Sequence, residues 1–329
     1  MTTVPVLEIG GTHVTGALVD MTAGAPVAGS VVRRPVSAGA GAPEILDAFA
    51  EAARHTGAPD GACWGVAVPG PFDYATGIGG FRGIGKFESL HGVDVGAELR
   101  ARLPRPRALS FLNDADAFAV GEYHCGAAAG RERAVCITLG TGVGSSFLHA
   151  GRPVAEGADV PPEGRAHRIS VDGLPLEEVV SRQAIRARYA RSAGIDVPAA
   201  VPDVSAIAAL ARGGDPHAAA TVSTCFDALG RALAPWCAAF RPEVMVVGGS
   251  MAASWDLIGP ALRAGLTTGA RGAGPDAASV VASMVLCTAR RPDDAPLIGA
   301  ARWALRQAEA GRPGGAGAVP SDDARAVRP

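Results

Sequence analysis

Residues 8–12 read Glu-Ile-Gly-Gly-Thr, and residues 139–144 read Leu-Gly-Thr-Gly-Val-Gly. Each stretch closes a short apolar run, Val4 to Glu8 and Ala134 to Leu139, and each is followed by more extended sequence, so residues 7–18 and 136–148 share one plan: strand, glycine turn, strand. Glycines permit positive φ and let backbone N–H groups come close to a polyanion. Thr12 and Thr141 add a hydroxyl donor inside each turn. A β-hairpin alone also uses such a turn; two with the same plan point to phosphate. Neither fits GxxxxGK[ST], and neither is a GxGxxG that opens a helix, so P-loop and Rossmann sites are disfavoured. A third pair, Gly248-Gly249-Ser250, lies between a strand and a helix. It is either a tight connection or a close approach of backbone to a nucleotide.

Around these turns, strands alternate with helices, which predicts an α/β fold with mainly parallel sheets. Strands are expected at 14–19, 27–32, 63–68, 108–112, 243–247 and 279–286, with a hairpin over 146–155. Helices are expected at 43–55, 93–103, 115–126, 177–193, 203–212, 216–239, 252–266 and 294–309. CWGVAV at 63–68 reads as a strand buried on both faces. The tail, 310–329, is rich in Gly, Pro and Asp without apolar periodicity and reads as disordered.

The chain has 329 residues, 48 % of them hydrophobic, which is enough for a sizeable core. A net charge of -2 gives no overall basic balance, so nucleic acid and anionic membranes are not expected partners. Residues 1–20 lack a signal-peptide pattern, and no window offers about 18 consecutive apolar residues. The six cysteines form no CxxC pair and read as small buried hydrophobes of a cytoplasmic protein. Of 30 basic residues only Lys86 is a lysine.

Five motifs in order resemble the ROK family of sugar kinases and regulators, in the actin-like ATPase superfamily. Glu8 to Thr12 looks like its first phosphate motif, Ala67-Val68-Pro69-Gly70-Pro71 like its PGP strand end, and Asn113-Asp114-Ala115-Asp116-Ala117 like its Asn-Asp-Ala-Asn-Ala catalytic motif. Leu139 to Gly144 looks like its second phosphate motif and Val246 to Ser250 like its adenosine motif. The resemblance implies a two-domain, ribonuclease H-like ATPase fold with mixed sheets around a central cleft. The expected domains are 1–112, completed by the helix near 294–309, and 113–293. It also implies ATP with Mg²⁺, phosphorylation of a hydroxyl on a small polyol, and a homodimer. By resemblance, Asp114 is the catalytic base, and Asn113, Gly70 and Glu177 are substrate contacts. Glu8, Gly10, Gly11, Thr12, Gly140, Thr141, Gly142, Gly144, Gly248 and Gly249 are expected to surround ATP and Mg²⁺. Asn113 or Asp114 can equally cap the helix from Ala115.

Several positions depart from the family. Glu8 stands where an Asp is usual, and the extra methylene moves its carboxylate by about 1.5 Å. The cysteines of the family's zinc module are missing from His167 to Glu177, so no structural zinc site is expected. The family's Glu-x-Gly-His becomes Glu163-Gly164-Arg165-Ala166-His167, with one residue more between acid and histidine. Glu163 is then a substrate ligand or a solvated acid, and His167 a substrate ligand or a satisfied surface histidine. Phe81 to Leu99 also differs, with Lys86 beside the expected acceptor site as a solvated side chain or a substrate or phosphate contact. This loop and the missing zinc look similar to the C7-cyclitol kinases of natural-product pathways. The expected acceptor is therefore a C7-cyclitol, the alternatives being a hexose such as glucose or a non-catalytic sugar-binding or regulatory role. A regulator would want an N-terminal helix-turn-helix, and the first phosphate strand already begins at Val4.

Overall fold

A computed structural model describes residues 2–310; residues 311–329, nearly all of the tail read as disordered, lie outside the described residues. The chain opens with the hairpin β1 (Thr3–Ile9) and β2 (His13–Asp20), whose register closes at Ile9 opposite Val14. The short strands β3 (Ala25–Pro26) and β4 (Val32–Pro35) pair with the outer side of β2. After α1 (Ala42–Arg54), β5 (Cys63–Val68) runs parallel to β1. A small ribbon, β6 (Phe72–Asp73) with β7 (Ile78–Gly79), and α2 (Val95–Arg102) lead to β8 (Ala108–Asn113), parallel to β5, and then to α3 (Asp114–Cys125).

The plan then repeats. β9 (Arg133–Leu139) and β10 (Val143–His149) form a second hairpin, extended by β11 (Arg152–Pro153). A ribbon of β12 (Ser170–Val171) and β13 (Leu174–Pro175) precedes α4 (Glu177–Val180), α5 (Arg182–Ala193), α6 (Val204–Arg212) and α7 (Pro216–Phe240). β14 (Val244–Gly248) runs parallel to β9 and, after α8 (Trp255–Ala273) and α9 (Pro275–Ser283), β15 (Val285–Thr288) runs parallel to β14. The helix α10 (Ala295–Ala310) returns to pack on β1, β5 and β8. Two mixed sheets, β3-β2-β1-β5-β8 and β11-β10-β9-β14-β15, therefore carry the α/β fold.

Packing explains the elements. β5 is buried from Trp64 to Val68, as a strand covered on both faces must be. α1 starts with a proline in its first turn and buries Ile45, Leu46, Phe49, Ala52 and Ala53, one apolar stripe at helical spacing. α3 and α10 touch almost backbone to backbone. A Cβ at Gly299 would lie 1.8 Å from the Ala117 carbonyl oxygen, and one at Gly121 would lie 1.9 Å from that of Ala295.

Three expectations are corrected. The strand at 27–32 is instead two short strands around a turn with Gly29 at φ +78°. Inside that turn the Ser30 hydroxyl accepts from Leu18 N–H at 3.0 Å and takes the place of a strand partner. The strand at 279–286 is α9 followed by β15; Pro275 starts the helix and Val280 and Val281 face the core from it. A short apolar run cannot tell these cases apart by periodicity. The helix at 177–193 breaks at Ser181, whose hydroxyl caps α5 by accepting from Ala184 N–H at 3.3 Å.

Gly299→Ala is expected to lower stability by about 1–3 kcal/mol, the usual range for overpacking. Gly272→Ala, on α8 with open space around its Cβ, is expected to leave stability unchanged or raise it by up to about 1 kcal/mol. Thermal unfolding of both variants checks the contrast.

Candidate active site

The two glycine turns are three-residue hairpin loops. In the first, Gly10 N–H donates to the His13 carbonyl at 2.8 Å, and Gly11 and Thr12 lie exposed. Arg33 donates to His13 Nε2 at 2.9 Å, which assigns the proton to Nδ1. Nδ1 then donates to Thr12 Oγ1 at 3.1 Å, leaving the threonine O–H to donate outward. Burial, seconded by the Arg33 charge, holds His13 below the usual histidine range. In the second turn, Gly140 N–H donates to the Gly142 carbonyl at 3.1 Å. A Cβ at Gly140 would lie 3.7 Å from Ser250 Oγ, so the third glycine turn meets the second. Gly249 adopts φ +83°, and a Cβ there would lie 2.3 Å from the Leu139 carbonyl oxygen. Gly248 faces Phe118 just as closely, at 2.5 Å. The tight-connection reading of this pair is thus satisfied by packing.

Asp114 begins α3 at the end of β8, and its Oδ1 accepts from Ala115 N–H at 2.9 Å. Burial pushes its carboxyl above the ordinary range, Lys86 and Arg165 pull against that shift, and Asp116 adds to it. A Cβ at Gly144 would lie 3.0 Å from Ala115 Cβ, so the second turn runs beside the carboxylate. Glu8 sits on β1 opposite Thr15 and Ala67. Burial raises it too, the Thr15 hydroxyl lowers it, and Asp114 and Asp293 raise it further. Glu8 and Asp114 therefore share one end of the cleft, with Asp293 nearby.

Asn113 is held at both ends of its amide. Its Oδ1 accepts from Ala115 N–H at 3.1 Å and from Arg165 at 3.0 Å, while Nδ2 donates to Tyr74 Oη at 3.0 Å. The tyrosine hydroxyl donates to the Val68 carbonyl at 3.2 Å, and burial pushes its pKa up. Gly70 walls this cluster: a Cβ there would lie 3.4 Å from Tyr74 Oη. Lys86 rides on a loop fixed by Glu88, whose carboxylate accepts the N–H groups of Gly83, Ile84 and Gly85 at 3.1, 2.8 and 2.9 Å. Phe81 and Phe87 are buried beneath that loop. Lys86 is half-buried, and its charge is the largest one favouring the ionised form of Asp114.

Glu177 Oε1 accepts from Val143 N–H at 3.3 Å and lies against Gly142, so it borders the second turn. His167 is half-buried; burial lowers its pKa and Glu177 opposes that. Glu163 stands apart, exposed and paired with Arg168. The sequence reading missed Arg165 and Tyr74 as partners of Asn113, and Asp116 as the partner of Arg165. The extra residue between Glu163 and His167 was the visible signal for Arg165.

The donor set suits Mg²⁺ carried in on phosphates. Among the described residues no group of three or more His, Cys, Asp or Glu side chains is placed to hold a metal ion. Mg²⁺ is usually bound by one or two carboxylates together with substrate phosphates. The turns leave the Gly11 position open and the Thr12 hydroxyl available for such phosphates.

A two-sheet fold with a duplicated hairpin, and a buried carboxylate at the strand–helix junction beside the second glycine turn, belongs to the actin-like ATPase class. The ROK family profile matches residues 5–307, and the chain belongs to the ROK family. It is 32 % identical over 219 residues to a glucokinase from Thermotoga maritima, covering 60 % of this chain and 67 % of the relative. A ROK hexokinase structure from Thermus thermophilus superposes with TM-score 0.73 at 25 % identity, over 94 % of this chain and 100 % of that one. A ROK glucokinase from Streptomyces griseus, solved with glucose and AMPPNP, shares the fold with TM-score 0.70 at 22 % identity, over 93 % and 100 % of the two chains.

The raised carboxyl of Asp114 has a stability consequence. A carboxyl whose folded pKa lies above its unfolded one binds protons better when folded, so stability falls as pH rises through that interval. Above it the full penalty for a buried charge remains. Asp114→Asn is therefore expected to raise the thermal midpoint at pH 7 and to lose that advantage progressively as pH falls through that interval, with none left at and below the ordinary aspartate range. Melting curves of both proteins from pH 3 to 8 check the sign.

Proposed function

We propose that this ATP-dependent sugar kinase transfers the γ-phosphoryl group of ATP to a primary hydroxyl of a glucose-like hexose, with Asp114 as general base. The observation that carries this reading is the placement of Asp114: a burial-raised carboxylate at the end of β8, with the second glycine turn running beside it and the charges of Glu8 and Lys86 coupled to it. Such a group can orient an alcohol and take its proton as the oxygen attacks phosphorus. The Gly10–Thr12 and Gly140–Gly144 turns would hold the triphosphate through backbone N–H groups and the Thr12 and Thr141 hydroxyls. Gly248 and Gly249 would border the adenosine. Mg²⁺, when bound, would neutralise charge on the phosphates, and Glu8 would orient its water. Asn113 Nδ2, Gly70, Lys86, His167 and Glu177 would line the acceptor side. In this reading Glu163, paired with Arg168 at the surface, has no substrate contact.

The same reading divides the chain into 1–112 with α10, and 113–293, closing over the substrates to exclude water. The glucokinase and hexokinase relatives favour a hexose acceptor. A C7-cyclitol acceptor has only the Phe81 to Leu99 loop and the missing cysteines behind it. A homodimer belongs to the same proposal and is read by light scattering.

ATP consumption by the purified chain, with glucose, mannose, N-acetylglucosamine, fructose and a C7-cyclitol, is expected to be fastest with a hexose. Turnover on the cyclitol alone would reverse the acceptor assignment. Asp114→Asn is expected to lower kcat by a factor of about 10²–10⁴, the range for a lost general base. A variant with kcat near wild type would remove Asp114 from that role.

A further inference from the structure

We infer that Arg165 is a positioning residue for the acceptor side of the cleft, clamping Asn113 and Asp116 against β10. The inference rests on the kinase reading of Asp114 and Asn113 but assigns a new part to the 160s loop. The guanidinium reaches four acceptors. One terminal nitrogen lies 3.0 Å from Asn113 Oδ1, 3.2 Å from Asp116 Oδ1 and 3.1 Å from the Ser145 carbonyl, and the other lies 2.8 Å from Asp116 Oδ2. The two side chains are only 17 % and 14 % exposed, so solvent screens the pair little.

The backbone around Arg165 is held as firmly as its side chain. Ser145 Oγ donates to the Gly164 carbonyl at 2.8 Å and accepts from Ala166 N–H at 2.7 Å. Gly164 adopts φ +67°, and a Cβ there would lie 2.7 Å from the Val154 carbonyl oxygen. Glu163, at φ +57°, turns outward while Arg165 points inward. One strand residue thus fixes the arginine from both sides.

Two consequences follow for the reacting end. Asn113 Oδ1 is held by Arg165 and Ala115 N–H, and Nδ2 is held by Tyr74. The amide has one orientation, with its second Nδ2 hydrogen left for an acceptor hydroxyl. Asp116 lies two residues from Asp114 on the first turn of α3, and Arg165 balances its charge. The charged or titratable groups facing Asp114 are Lys86 from the 80s loop, Arg165, Asp116, Glu8 from β1 and Tyr74. Of these, Arg165 and Asp116 act on it with opposite signs.

The test is a cycle of Arg165→Met, Asp116→Asn and the double variant, each checked for folding by thermal unfolding. Carbon-13 NMR titration of the Asp114 carboxyl, identified by its absence in Asp114→Asn, needs no turnover. Arg165→Met is expected to move that titration to higher pH, Asp116→Asn to lower pH, and the double variant back toward wild type. Arg165→Met is also expected to lower kcat/KM for glucose by about 10- to 100-fold, the scale of a small misplacement, through a raised KM for glucose with KM for ATP near wild type. A titration that stays put, or moves the same way in both single variants, overturns the clamp, as does an unchanged KM for glucose. Should Arg165→Met not fold, Asp116→Asn decides: a downward shift supports the clamp and an unmoved titration overturns it. If wild-type protein phosphorylates no hexose while the titrations carry the expected signs, the clamp stands and the hexose assignment falls.

Discussion

The near contact of α3 with α10 is the constraint on which the rest of the molecule depends. Gly121 faces the Ala295 carbonyl and Gly299 faces that of Ala117, and no side chain fits at either glycine. α10 packs on β1, β5 and β8, whereas α3 also meets β9 and β10 of the second sheet. The helix that begins with Asp114 is thereby held between the two sheets. Its first turn opens where β8 ends and where the second glycine turn passes. Close-packed interiors transmit small displacements, so a shift of α10 would move the reacting end without touching it.

At that end the chain accepts an electrostatic cost. Glu8 and Asp114 are both raised by burial, and Asp114 disfavours the charge of Glu8 further. A fold selected for stability alone would separate or neutralise them. The compensating groups are few and specific: the Thr15 hydroxyl and Arg33 for Glu8, and Lys86, Ala115 N–H and Arg165 for Asp114. Carboxyls raised by burial and set against specific charged partners recur at functional sites.

The parts of this architecture set by local punctuation were legible in the sequence. Both hairpins follow from apolar runs broken by Gly-Gly-Thr and Gly-Thr-Gly, although Gly10, Gly11, Gly140 and Gly142 all keep negative or extended φ, so the glycines mark the turns without a left-handed backbone requiring them. β5 was readable because a strand covered on both faces must be apolar throughout. The run at 279–286 was not, since Val280 and Val281 suit a buried helix as well as a strand. Asp114 and Asn113 were visible as a pair at a strand–helix junction. Their partners were not, because Tyr74 and Arg165 lie 39 and 52 residues from Asn113 in the chain.

The 160s loop turns a cation, not an acid, toward α3. Acid and histidine are separated by Gly164-Arg165-Ala166, and Glu163, Arg165 and His167 would share one face were this stretch an extended strand; it forms two 3-10 turns instead. Left-handed φ at both Glu163 and Gly164 reverses the chain just before the arginine. Glu163 then pairs with Arg168 outside, and Arg165 turns inward to Asp116. A cation there would be costly alone, since an unpaired buried charge is strongly disfavoured. It is tolerated because Asp116 meets it with both carboxylate oxygens. The acid on α3 and the arginine of the loop are therefore one feature, and neither residue is intelligible from its own segment.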